Sequence, residues 1–336
     1  MASSSQIFRA GAGDPVALRS KARSSIACSS STSVTMPLIA RKFLRSLVTP
    51  YLKKNVTASS ALELVRSNSG GAVKFDHFAF RTFGVDGFGI DSIAQLFLDL
   101  GYECRDELRF PAKKLRAFWY APPLDFLDIE GDGVDGPLPR IFISELLVNQ
   151  LSSESQEVIK TYTGRARALL KHAPLTSVLD CLPWENPSVA DYERLAQESE
   201  YAAWTLANGY ALNHLTISVH RLNSELKDIN KLNEFLQSNG IKLNKDGGIL
   251  KVSPDRGLLQ SSTVADLVPC TFSDGEIETP ASYIEFAQRL VLPAFQNLGP
   301  DQLKEWHRRD GFEVGNADKI FESTSSLQTG ALKQSA

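Results

Sequence analysis

The chain has 336 residues, of which 43% are hydrophobic and 22% are charged, a composition typical of a globular protein with a sizeable core. Its 36 basic and 39 acidic residues give a net charge of −3, which argues against nucleic-acid binding. No apolar run reaches the roughly 18–20 residues that span a bilayer. The four cysteines, Cys28, Cys104, Cys181 and Cys270, lie far apart, which favours a reducing compartment over a disulfide framework or a zinc ribbon.

The first 36 residues differ in composition from the rest of the chain. They are rich in Ser and Ala and contain four basic residues against a single acid, Asp14. They lack the apolar block of a secretory signal, and Ser-rich, acid-poor ends of this kind are typical of organelle transit peptides. We therefore predict a transit peptide over 1–36 that directs the protein to the plastid stroma, in chloroplasts or amyloplasts; a disordered tail without an address is the alternative. Without this segment, 32 basic and 38 acidic residues remain, a net charge of −6.

Periodicity predicts a βαβββ unit over 72–148. Ahead of it, 38–48 has the pattern of an amphipathic helix, which Pro50 interrupts before helix resumes at 61–65. Within the unit a strand is followed by a helix, which Gly101 ends, and then by three further strands. These elements are expected at 72–82, 91–100, 102–110, 115–121 and 140–148.

The same order of elements recurs downstream. Two helices, 154–173 and 189–207, are predicted within a helical insert over 152–207, and a second βαβββ unit follows over 211–290. Its strand, its helix and its three extended runs are expected at 211–220, 225–238, 248–252, 260–266 and 282–286.

The remainder of the chain is a polar segment over 299–328, expected to pack on the outside, and a short tail over 329–336. Because the two units together would make one duplicated barrel rather than two independent domains, we predict a single catalytic domain over 37–328. Its fold class is α+β, an open barrel made of two βαβββ units with helical insertions.

Each unit has a histidine near its start and a glutamate near its end. Glu145 follows His77 by 68 residues, and Glu285 follows His214 by 71. No local identity is visible between the two copies, so the repeat is one of architecture. We interpret Glu145 as the counterpart of Glu285.

His77 and His214 stand inside otherwise apolar strands. Side chains alternate along a strand, so His77 shares a face with Arg81, while His214 shares one with two hydroxyl side chains. Two imidazoles and the carboxylate of Glu285, from three strands, are the ligand set of open-faced non-haem Fe(II) sites, although zinc and manganese use the same ligands. Hydrogen-bonded core histidines, with Glu285 paired to Arg289, are the alternative.

Arg81 is the second candidate for a functional role. Arg81 lies two pleats farther along the strand than His77, so its guanidinium would lie about 7 Å from the imidazole of His77. The planar guanidinium suits a bidentate grip on a substrate carboxylate. A surface ion pair with Asp76 or Asp86 is the alternative, and His307 is interpreted as a solvated residue without a role.

Three segments around these residues resemble the 2-oxoadipate dioxygenase/decarboxylase (hydroxyglutarate synthase) family, and in particular its plant plastid members. The segments are 77–82, 208–216 and 283–289, in the order expected for the family. The resemblance covers residues 38–328. It implies a vicinal-oxygen-chelate-like fold that holds one Fe(II).

The resemblance also implies roles for individual residues. His77, His214 and Glu285 would bind Fe(II), Arg81 would grip a substrate carboxylate, and Val314 would give an apolar contact to the substrate. The implied reaction is the oxidative decarboxylation of 2-oxoadipate by O₂, with hydroxylation of the shortened chain to 2-hydroxyglutarate, a step of lysine catabolism. The expected partners are a small 2-oxo dicarboxylic acid and O₂, with no nucleic acid and no membrane.

Two other functions stay open at this point. An oxygen-independent metal-dependent isomerase or lyase of the glyoxalase type would keep the barrel and use Glu145 as a fourth metal ligand. A non-catalytic plastid binding protein would keep the fold without binding a metal tightly.

Overall fold

A computed structural model describes residues 32–166 and 171–331. Most of the predicted transit peptide lies outside the described residues, and its expected end at residue 36 falls within the first helix, α1 (Thr32–Lys54). The domain limits stay predictions. Among the described helices, none combines the length and the apolar character needed to cross a membrane.

Helix α1 continues through Pro50, so the predicted interruption at this proline is wrong. Leu47 and Tyr51, on its inner side, are at most 5% exposed, and their packing holds the helix against the core on both sides of the proline. The chain breaks instead at Asn55, before α2 (Val56–Asn68).

Two βαβββ units and a helical insert between them form most of the structure. The first unit contains β1 (Phe75–Phe83), α3 (Asp91–Asp99), β2 (Glu103–Phe110), β3 (Leu115–Ala121) and β4 (Arg140–Leu146). The insert contains α4 (Ser153–Arg165), α5 (Ala173–Leu179), α6 (Val189–Glu198) and α7 (Glu200–Asn208). The second unit contains β5 (His214–Ser218), α8 (Ile229–Ser238), β6 (Lys251–Val252), β7 (Leu258–Ser262), β8 (Leu267–Phe272), β9 (Gly275–Pro280) and β10 (Tyr283–Arg289).

The two units join in one curled eight-stranded sheet with the order β2-β3-β4-β1-β5-β10-β7-β6. The order is symmetric about the antiparallel β1–β5 pair, and in each half the first strand runs parallel to the last one. The predicted α+β barrel of two βαβββ units is therefore confirmed. Because the first strands of both units are neighbours, His77 and His214 come together at the middle of the sheet.

The second unit differs from its prediction in two places. The β8–β9 hairpin, inserted between β7 and β10, was not expected; its turn is formed by Ser273 and Asp274. The predicted helix over 225–238 is shorter, because the side chain of Asp228 accepts hydrogen bonds from the main-chain N–H groups of residues 230 and 231 and caps α8 at Ile229.

The helical insert contains more breaks than expected. Helix α4 ends at Arg165 rather than at residue 173, directly after Gly164, which is a weak helix former. The predicted helix over 189–207 is divided at Ser199, whose hydroxyl accepts a hydrogen bond from the main-chain N–H of Ala202 and caps α7.

The C-terminal segment corrects a prediction, because it packs onto the open side of the sheet instead of lying outside. It contains α9 (Val314–Ile320) and α10 (Ser326–Thr329). Ile320 and Phe321 are at most 8% exposed. The inner face of a curled sheet has to be shielded from water, and these apolar side chains provide the cover. His307, interpreted as solvated, is also buried.

Candidate metal centre

Three side chains able to bind a metal meet at the centre of the sheet. His77 lies on β1, His214 on β5 and Glu285 on β10, and one ligand atom of each lies within 4.8 Å of the other two. Oε2 of Glu285 is 3.2 Å from Nε2 of His214 and 3.5 Å from Nε2 of His77. All three side chains are buried. The described part of the chain contains no other such group.

The residue before each histidine fixes the orientation of its ring. Nδ1 of His77 lies 2.8 Å from Oδ1 of Asp76, and Nδ1 of His214 lies 2.9 Å from Oδ1 of Asn213. When Nδ1 carries the proton and donates it to such an oxygen, the lone pair is on Nε2. Both rings therefore direct the nitrogen that can bind a metal toward the carboxylate of Glu285.

The carboxylate of Glu285 is held at one oxygen only. Nε2 of Gln260 donates a hydrogen bond to Oε1 of Glu285 at 2.6 Å, and Gln260 in turn accepts one from Nδ2 of Asn316, on α9, at 2.9 Å. The other oxygen, Oε2, faces the two imidazoles. The C-terminal helix thus helps to position a ligand on the central sheet.

The surroundings of Glu285 and His214 favour the forms of these two side chains that bind a metal. Burial opposes ionisation of Glu285, but the nearby imidazoles of His77 and His214 outweigh it and lower its pKa to about 2. Burial lowers the pKa of His214 to about 4. At neutral pH the carboxylate is therefore ionised and this imidazole is neutral. Burial lowers the pKa of His77 as well, but the nearby Glu285 and Asp76 outweigh it and raise that pKa.

The donor set fits a divalent metal ion. A buried carboxylate must be paired, hydrogen-bonded or bound to a metal. Arg289, the alternative partner of Glu285, instead donates to Asp76 from Nε at 2.7 Å and from Nη2 at 2.9 Å. Within residues 32–166 and 171–331, no lysine or arginine forms an ion pair with Glu285. Two imidazole nitrogens and one carboxylate oxygen are therefore the ligands that the site offers.

Arg81 is a buried cation. It is 2% exposed, and its guanidinium carbon lies 5.0–5.7 Å from the ring centres of Tyr201, Trp204 and Phe321. Nη2 donates to the main-chain oxygen of Phe321 at 3.3 Å, but Nε has no hydrogen-bond partner. The expected alternative, a surface ion pair, is not formed, and no carboxylate among the described residues pairs with Arg81. Arg81 is therefore a buried positive charge without a counter-ion; it lines a cavity next to the one that holds the three ligands, and Phe321 lines both.

The C-terminal segment closes a cavity that adjoins the three ligands. Phe312 lies edge-on to His77, with ring centres 4.8 Å apart, and Ala317 and Ile320 of α9 also line the cavity. Val314, for which a substrate contact was expected, is 39% exposed at the start of the same helix and does not line this cavity. Its contact with the substrate stays a prediction, whereas Ile320 does line the cavity.

The strand register also corrects the interpretation of Glu145. On β10, Glu285 lies two residues after the residue that pairs with His214. On β4, the residue two positions after the partner of His77 is Phe142. Glu145 lies three residues farther along β4, where its carboxylate accepts hydrogen bonds from Arg116 Nε at 2.7 Å and from the main-chain N–H of Ile90 at 2.9 Å. It is neither the counterpart of Glu285 nor a fourth ligand, as the glyoxalase-type alternative required.

Several residues of the centre were missed at the level of the sequence. A signal did exist for Asp76 and Asn213, since each histidine is directly preceded by a side chain with an oxygen acceptor. Gln260, Asn316 and Phe312 have no local signal, because they reach the centre only through the folding of distant segments.

Comparisons with known proteins agree with this geometry. The chain matches the family model of the 2-oxoadipate dioxygenase/decarboxylases over residues 44–299. It belongs to this family. It is 59% identical over 300 residues to the chloroplastic 2-oxoadipate dioxygenase/decarboxylase of Arabidopsis thaliana, an alignment that covers 89% of this chain and 81% of the relative. The chloroplast location of this relative confirms the predicted plastid location.

Solved structures give the same assignment. A crystal structure of hydroxyglutarate synthase from Oryza sativa in complex with 2-oxoadipate is 58% identical, has a TM-score of 0.85, and is matched over 88% of this chain and 94% of that one. A putative glyoxalase superfamily protein from Ralstonia eutropha, 21% identical with a TM-score of 0.63 over 82% of this chain and 86% of that one, shares the fold alone. The vicinal-oxygen-chelate-like fold expected for the 2-oxoadipate dioxygenase/decarboxylases is thus confirmed.

Proposed function

We propose that this chain is an Fe(II)-dependent enzyme of the plastid stroma that converts 2-oxoadipate and O₂ to 2-hydroxyglutarate and CO₂, a step in the breakdown of lysine. The observation that carries the proposal is Arg81, a buried cation without a counter-ion on the same strand as His77. A metal centre with an anion site beside it suits a small dicarboxylic acid, and the related rice protein binds 2-oxoadipate.

The reaction balances without a second organic substrate. The bond between the 2-oxo carbon and its carboxyl carbon breaks, and the carboxyl carbon leaves as CO₂. One oxygen atom of O₂ enters the new carboxylate at the former 2-oxo carbon, and the other becomes the hydroxyl on the neighbouring carbon. O₂ is therefore the oxidant, and the six-carbon acid supplies all the electrons.

His77, His214 and Glu285 would hold the iron, which when bound supplies chelation of the 2-oxo acid and activation of O₂. The remaining residues keep the ligands in place. Asp76 and Asn213 hold both imidazoles with Nε2 toward the centre. Three protein ligands leave open positions for a bidentate 2-oxo acid and for O₂.

Arg81 would bind the carboxylate at the far end of the substrate. Its guanidinium can form two parallel hydrogen bonds to a carboxylate, and the aromatic rings around it exclude water, which strengthens the charge interaction. Because the whole chain is slightly acidic, its net charge does not attract a dianion, so recognition has to be local. Ile320 and Phe312 would cover the carbon chain and keep water from the reacting atoms.

The test is to load the protein with Fe(II) under argon, add O₂, and measure O₂ uptake, CO₂ and organic product with C5–C7 2-oxo dicarboxylic acids. We expect stoichiometric O₂ uptake and 2-hydroxyglutarate from 2-oxoadipate. No uptake with 2-oxoadipate would overturn the proposal. Activity without O₂, after loading with zinc or nickel, would favour an isomerase or lyase, and a purified protein that binds no metal would favour a binding protein.

A further inference from the structure

Among the described residues, three hydrogen-bond donors around the metal centre are buried without a partner. Two of them are Nε of Arg81 and the hydroxyl of Tyr283, on residues that are 2% and 1% exposed; the third, Nδ2 of Asn213, belongs to the residue that holds His214. A buried polar group that makes no hydrogen bond destabilises the fold, so its presence calls for an explanation. A ligand that accepts from the first two donors is one such explanation.

Tyr283 connects the metal centre with the anion site. Its ring stacks on the imidazole of His214, with ring centres 4.7 Å apart, and it lines the cavity together with the three ligands. A tyrosine hydroxyl is protonated at neutral pH and therefore has a proton to donate.

The backbone of Tyr283 is fixed from outside the cavity. The hydroxyl of Tyr51 donates a hydrogen bond to the main-chain oxygen of Tyr283, and Nε1 of Trp204 donates to the main-chain oxygen of Ala281 at 2.7 Å. Trp204 also packs against the guanidinium of Arg81. The two unpartnered donors are thus held by a common set of buried contacts, a rigid arrangement suited to recognition.

We infer that the Tyr283 hydroxyl is a second donor to the distal carboxylate of the substrate and that, together with Arg81, it selects dicarboxylic over monocarboxylic 2-oxo acids. The inference rests on the proposed function, because it takes the 2-oxo end of the substrate to lie at the metal. One carboxylate oxygen accepts from Arg81 and the other from Tyr283, and both buried donors are satisfied when substrate binds.

The variant Tyr283→Phe tests this assignment, because it keeps the stacked ring and removes only the hydroxyl. Binding is measured by calorimetry under argon on the Fe(II)-loaded protein, with 2-oxoadipate and with 2-oxohexanoate, which lacks the distal carboxylate. We expect the variant to bind 2-oxoadipate roughly 10- to 100-fold more weakly, the loss of a hydrogen bond to a charged group. Its affinity for 2-oxohexanoate should be unchanged.

A stability measurement separates recognition from a structural role. The hydroxyl of Tyr283 has no partner, so Tyr283→Phe should leave the unfolding midpoint of the metal-free protein unchanged or raise it. The matched control is Tyr102→Phe. The hydroxyl of Tyr102 donates to the main-chain oxygen of Pro139 at 3.1 Å, so this variant should unfold at a lower temperature and bind both acids as the wild type does.

Equal weakening for both acids, no weakening for either, or a lower unfolding midpoint of Tyr283→Phe would overturn the inference. The proposed reaction can fail separately. If the wild type prefers 2-oxoadipate over 2-oxohexanoate and Tyr283→Phe abolishes that preference, but no O₂ is consumed, then the binding site stands and the reaction is wrong. If O₂ is consumed and Tyr283→Phe changes nothing, the reaction stands and the role of Tyr283 is wrong.

Discussion

Asp76 links the metal centre to a buried group of charges, and its replacement by asparagine would affect both. Its carboxylate accepts hydrogen bonds from Arg289 at 2.7 and 2.9 Å, lies 2.8 Å from Nδ1 of His77, and is 3.6 Å from Nη1 of Arg140. All four residues are at most 5% exposed. Burial opposes the charge of Asp76, but Arg289, His77 and Arg140 together outweigh it and hold the pKa of Asp76 well below its ordinary value.

The substitution Asp76→Asn keeps the shape of the side chain but leaves Arg289 buried without a counter-ion. Removing one partner of a buried ion pair costs about 3–5 kcal/mol. In a domain of this size, such a loss lowers the unfolding midpoint by roughly 6–20 °C. His77 would retain an amide oxygen as acceptor, as His214 already has in Asn213. Metal affinity should therefore fall about tenfold, the low end of the range for residues that orient metal ligands.

The measurements are the thermal unfolding of the metal-free protein and the Fe(II) affinity by competition with a chelator. The matched control is Glu305→Gln. Glu305 is 4% exposed and contacts Arg140 at 3.2 Å and His220 at 3.0 Å, but it touches no metal ligand. The control should lose stability to a similar extent and keep its metal affinity. Equal losses of affinity in both variants would refute the role of Asp76 and indicate a general loosening of the fold.

Three further predictions follow from the same geometry. The folded-state pKa values of Asp76, Glu285 and Glu305 lie below their ordinary values of about 4. The stability that these carboxylates contribute is therefore present above about pH 4 and lost as the pH falls below it. The unfolding midpoint of the metal-free protein should fall steeply below that pH, and less steeply in Glu305→Gln. Parallel curves of midpoint against pH for the two proteins would contradict this prediction. Phe142→Glu should add a fourth ligand at the counterpart of Glu285, so that metal binds more tightly and O₂ uptake with 2-oxoadipate is lost. The control Phe142→Leu should keep the metal affinity and the O₂ uptake of the wild type. Continued uptake in Phe142→Glu would show that position 142 is not at the metal. With ¹⁸O₂, mass spectrometry should find one labelled oxygen in the new carboxylate and one in the hydroxyl, and an unlabelled hydroxyl would contradict the proposed reaction.

Much of the fold could be predicted from the sequence because the signals for strands are local. Alternation of polar and apolar residues located β1 and β4 to within a few residues, and the recurrence of the element order gave the two βαβββ units. The three ligands were found for the same reason, since a histidine or a glutamate within an apolar strand is visible without knowledge of the fold. Arg81 followed from its position on the strand of His77.

The misassignment of Glu145 shows where spacing fails. By strand register, Phe142 corresponds to Glu285, and these residues lie 65 and 71 positions after the histidines of their units. The β8–β9 hairpin lies inside the second unit, so equal distances along the two units do not mark equal positions in the sheet. The similar spacing of Glu145 is therefore accidental.

Contacts between distant segments left no pattern in the sequence. The Asp76–Arg289 pair joins residues 213 positions apart, and Asn316 reaches Gln260 across 56. The C-terminal segment is polar on average, which led to the wrong expectation that it packs outside. Phe312, Ile320 and Phe321 are enough to cover the cavity, and averaging over the segment hides them.

The duplicated sheet explains how one side of the metal centre stays open. Each half supplies one histidine, but the positions around it have diverged between the halves. In the second half the residues at these positions are polar, and they include the ligand Glu285 and the residue that holds it, Gln260. The set is Thr216, Gln260 and Glu285. Their counterparts in the first half, by register, are apolar; they are Ala79, Ala117 and Phe142. A repeat with the same ligands in both halves would surround the metal with protein. Because only the second half carries them, the first half presents Phe142 to the cavity beside the metal ligands, and among the described residues it adds only His77 to the ligand set.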